Sequence, residues 1–84
     1  MDNLQERIQE EEALKRVIKK GVEAICTKGG SLYPNICLYA TRSTLDQYNI
    51  VEKVFRYMTT ESLPMDIESA LTAVENELTG GYPD

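Results

Sequence analysis

The stretch Leu45–Met58 constrains the fold more than any other part of the chain. Projected on a helix, Tyr48, Ile50, Val51, Val54, Phe55, Tyr57 and Met58 spread over about half the circumference, while Asp46, Asn49, Lys53 and Arg56 take the other half with Glu52 at the border. One neighbouring helix covers only the stripe made by positions i, i+3, i+4 and i+7, so an arc this wide calls for packing on two sides. The chain is therefore expected to be mainly α: a small three-helix domain in which a long N-terminal helix and a C-terminal helix pack around Leu45–Met58.

Leu4, Ile8, Leu14, Ile18, Val22 and Ile25 recur at helical spacing and predict a first helix over Leu4–Thr27, with Asn3 as its N-cap and Glu6 in the first turn. Arg7 and Glu11 interrupt its apolar face early, so the first turns are expected to overhang the core. Gly29-Gly30 supplies the positive-φ residue that commonly ends a helix. Ser43 or Thr44 caps the central helix, and Asp46 suits the positive end of its dipole. Asp66 caps a third helix with a narrow stripe of Ile67, Ala70, Leu71, Val74 and Leu78, which stops at Gly80-Gly81 and leaves residues 80–84 as a frayed tail.

Between Gly30 and Arg42 two readings stand. Ile36, Leu38 and Ala40 alternate with Cys37, Tyr39 and Thr41 as in a short strand over residues 36–41, but Pro34 equally suits the first turn of a short helix. A single strand would have no partner within this chain.

At 84 residues the chain is expected to form a single domain, with 42% hydrophobic and 27% charged residues placing it among folding rather than disordered sequences. Charge interrupts every long apolar run, so neither a membrane span nor a signal peptide is expected, and an intracellular, cytoplasmic protein is. The net charge of −5 is unevenly placed. Acids and bases balance over Met1–Lys28, whereas Glu61–Asp84 holds six acids and no base. That polarity argues against general nucleic-acid binding, which draws on phosphate neutralisation, and favours a protein partner with a basic surface.

The chain has no histidine, so the usual general base near neutral pH and the commonest metal-ligating side chain are missing. No carboxylate pair sits within an apolar face; Glu11 and Glu52 come nearest, with Arg7 and Arg56 one turn away as ion-pair partners. Neither catalysis, nor a metal, nor a cofactor is expected. Cys26 and Cys37 flank the diglycine turn, close enough for a disulfide, but in a reducing compartment they are expected as buried free thiols.

Three surfaces are candidates for function. Tyr33, Tyr39 and Arg42 lie in or beside an uncharged segment and are residue types that often anchor protein interfaces. Glu68, Glu75 and Glu77 on the third helix would steer towards a basic partner or, in a sharper form, mimic nucleic-acid charge and block a nucleic-acid-binding protein. Lys15, Arg16, Lys19 and Lys20 form a basic ridge that a dimeric nucleic-acid-binding regulator would use. The sequence favours the first two: a small acidic, non-catalytic protein that binds another protein and modulates it as an inhibitor, adaptor or mobile-element-type regulator. The wide apolar arcs also allow a homo-oligomer.

Overall fold

The computed structural model describes residues 2–29 and 32–79, the side chains of Asp2 and Asn3 excepted. Among the described residues four helices follow one another: α1 Asp2–Thr27, α2 Pro34–Arg42, α3 Thr44–Thr59 and α4 Ile67–Thr79. The fold is mainly α, as expected, but with four helices instead of three. Of the two readings of the segment before Ser43, the helix beginning at Pro34 is the one the structure has, and the possible strand over residues 36–41 is the body of α2. The expected stop at Gly80-Gly81 and the tail 80–84 lie outside the described residues.

Local chemistry explains most of the boundaries. Gly29 takes φ 105° at the end of α1, a conformation that favours glycine. Ser43 is extended and its hydroxyl accepts from the Asp46 amide at 3.1 Å, so it caps α3 while ending α2. Asp66 Oδ1 accepts from the Ser69 amide at 2.8 Å and caps α4. In the connection before it, the Met65 amide donates to the Tyr57 carbonyl at 3.1 Å, tying the loop back to α3. α1 already includes Asp2, so Asn3 lies inside the helix and is not its N-cap.

The central helix is α3, and its wide arc is used more fully than expected, because α1, α2 and α4 all pack on it. α2 in turn contacts the other three. The core comprises Ile18 and Val22 of α1, Ile36 and Ala40 of α2, Ile50, Val51 and Val54 of α3, and Ala70, Leu71 and Val74 of α4. Burial of a side chain such as Ile18 or Ile36 stabilises the fold by about 2–3 kcal/mol. A helix of 26 residues is about 39 Å long, nearly the 42 Å long axis of the molecule. Leu4 to Ala13 are exposed throughout, so the early turns of α1 project past the core.

Candidate functional site

The outer corner where α2 turns into α3 gathers the strongest interface-type side chains. Arg42, at the last position of α2, lays its guanidinium over the Tyr39 ring at 4.6 Å from the centroid and donates from Nε to Asp46 Oδ2 at 2.8 Å. The guanidinium, followed by the Ser43 hydroxyl, holds Asp46 below the ordinary carboxylate range, and Asp46 in turn holds Arg42 above its usual value. The pair is solvent-exposed, so its worth is orientation rather than stability. Two leucines stand beside it in sequence with little cover: Leu38 is 59% exposed and Leu45 67% exposed. The sequence groups Tyr39 with Arg42, and the structure puts the two in contact; Leu38, part of the alternation over residues 36–41, turns outwards. Helical spacing places Ile36 and Ala40 inwards and Leu38 two residues away from each, on the other side.

Tyr33 takes a different position. It is half-buried against the core just ahead of α2, and its carbonyl accepts from the Cys37 amide at 3.1 Å. It belongs to the foundation of the corner and not to its outer surface.

Glu75, expected with Glu68 and Glu77 to steer towards a basic partner, is instead turned inwards. It is only 8% exposed. Its carboxylate accepts from the Asn35 amide at 3.1 Å and 3.2 Å, from the Ile36 amide at 3.0 Å and from Asn35 Nδ2 at 2.8 Å. These are the second and third residues of α2, whose preceding residue, Tyr33, provides no side-chain cap and whose first residue, Pro34, has no N–H. A carboxylate some 40 residues away in sequence therefore does what a local Ser or Asp usually does, and its charge also meets the positive end of the α2 dipole. Thr79 completes the cluster, accepting from Asn35 Nδ2 at 3.0 Å.

The other two acids diverge from it. Glu77 lies about 200° round α4 from Glu75. It accepts from the Tyr57 hydroxyl, a bond that keeps the Tyr57 proton on and raises its pKa. Glu68 is exposed in the first turn of α4. The three carboxylates form no continuous row.

The basic ridge is also divided. Lys15 donates to Glu52 Oε1 at 2.7 Å and stands 4.9 Å from the Phe55 ring centroid, so it links α1 to α3. Glu52 pairs across helices, with Tyr48 as a second donor, and lies below the ordinary carboxylate range chiefly because of Lys15. Arg16 and Lys19 remain exposed along an open groove of about 460 Å³ between α1 and α3, shared with Glu12, Thr44, Gln47 and Tyr48. Lys20 is exposed but does not line it.

Cys26 and Cys37 are free, as expected, but only partly buried rather than fully enclosed. Among the described residues no cluster of side chains is arranged to hold a metal ion, and no helix is long and apolar enough to cross a membrane. Comparison with protein-family models, with curated proteins and with solved structures gives no match to this chain.

Proposed function

We propose that the chain is a non-catalytic protein-binding module whose contact surface is the corner between α2 and α3, made by Leu38, Tyr39, Arg42 and Leu45. The observation that carries this reading is the exposure of Leu38 and Leu45, which flank the stacked Tyr39 and Arg42 in sequence. An apolar pair beside a pre-oriented arginine and an aromatic ring has the composition of an interface hot spot. Support from the scaffold is equally relevant. The corner sits on two capped helices that share one core, so little conformational freedom is lost on binding. The partner would offer an apolar patch rimmed by basic residues, drawn by the net charge of −5, and the module would act by occupying that patch.

The test is affinity capture from a lysate of the source organism with three forms of the full chain. Wild type should retain a protein, and Leu38→Asp with Leu45→Asp should lose it while keeping the wild-type helical circular dichroism. Arg16→Ala with Lys19→Ala should retain it. Capture that survives the corner double variant, or nucleic acid retained through Arg16 and Lys19 with no protein, would overturn the reading.

A further inference from the structure

We propose that Cys26 and Cys37 form an oxidisable dithiol, a modification site at which a small-molecule disulfide closes an intramolecular disulfide within the folded chain. The proposal is independent of the α2–α3 corner. Cys26 lies in the last turn of α1 and Cys37 is the fourth residue of α2, and these two helices pack on each other. An open groove of about 450 Å³ is lined by Glu23, Cys26 and Thr27 from α1 and by Ala40 and Thr41 from α2. Ala40 and Thr41 stand three and four residues after Cys37, so Cys26 faces the turn of α2 that carries the second cysteine. Consistent with that placement, Cys26 bears on the ionisation of the Cys37 thiol and raises it. Neither is sealed in the core, and the groove gives a reagent access to Cys26.

Access sets the order of the reaction: the groove is lined by Cys26 and not by Cys37. The Cys37 thiol is pushed up to about 12 by burial, then by its contact with Cys26 and by the charge of Glu75, so it is a poor first nucleophile. Cys26 thiolate attacks one sulfur of the reagent R–S–S–R, forming a mixed disulfide and expelling RS⁻. With Cys26 capped, its contact no longer holds the proton on Cys37. Cys37 releases that proton to solvent and attacks Cys26 Sγ, expelling the second RS⁻. Two protein thiols are oxidised, one R–S–S–R is reduced, and the two protons end on two RSH.

The experiment is incubation of the folded full chain with oxidised glutathione, followed by acid quench, alkylation of remaining thiols and intact-mass measurement. Wild type should lose two hydrogens and carry neither glutathione nor alkyl groups. Cys37→Ser should stop with one glutathione on Cys26, and Cys26→Ser should react many-fold more slowly. Closure of so short a loop should raise Tm by roughly 10 °C if the disulfide fits the native packing. A persistent glutathione adduct on wild type, cross-links between chains, closure only in denaturant, or a Tm that fails to rise would each overturn the proposal.

Discussion

Glu75 joins α4 to the N-terminus of α2 by accepting from the Asn35 and Ile36 amides. It was readable in principle: it stands four residues after Leu71 and three before Leu78, at the edge of the buried stripe of α4, where a charged residue calls for a partner. Nothing local named that partner, because the amides it binds lie about 40 residues earlier and become donors only once Pro34–Arg42 is helical. Glu75→Ala leaves the Asn35 and Ile36 amides without their acceptor and should destabilise the protein by about 2 kcal/mol, read from the denaturant midpoint at constant slope. Glu75→Gln keeps one acceptor oxygen without the charge and should lose about half as much. Ile18 offers a calibration at the same scale: fully buried, it should lose about 3 kcal/mol on replacement by alanine through the cavity left behind.

At the level of elements, periodicity located the helices and capping chemistry set several of their ends. The arc of Leu45–Met58 announced a helix packed on more than one side, and Ser43, Asp66 and Gly29 act where their side chains or backbone preferences placed them. α2 was the ambiguous element, since its nine residues are too few for the period of 3.6 to separate from alternation, and its N-terminus lacks a local cap. Tertiary context resolved it. Ile36 and Ala40, four apart, both enter the core, which a strand would also permit but which here leaves Leu38 outside. Ser43→Ala should lower stability by about 1 kcal/mol through the α3 cap, and Asp66→Ala by a similar amount through the α4 cap, both measurable as a fall in Tm of several degrees.

Across the whole molecule, some of the charged side chains serve as links between helices. Lys15 with Glu52 ties α1 to α3, Tyr57 with Glu77 ties α3 to α4, and Glu75 ties α4 to α2. The functional surface was therefore only partly legible: composition drew attention to every acid and base, but long-range pairing decides which of them are left for a partner. Three carboxylates, Asp46, Glu52 and Asp66, are held below their ordinary range, so the unfolded chain binds more protons than the folded one in acid. Their contribution is complete above the ordinary carboxylate pKa and is lost as the pH falls through the lower folded values; stability should hold from about pH 8 to pH 5 and decline below about pH 4, as followed by urea unfolding across that range.

The platform for the proposed corner depends on the junction of α2 and α4, so the most direct measurement is amide hydrogen exchange at Asn35 and Ile36 in wild type and in Glu75→Ala. Neither amide has an acceptor within its own helix, yet with Glu75 in place both should be protected to nearly the level of the α3 core, and the substitution should abolish that protection while α3 stays slow. Fast exchange of Asn35 and Ile36 in the wild-type protein would contradict the account.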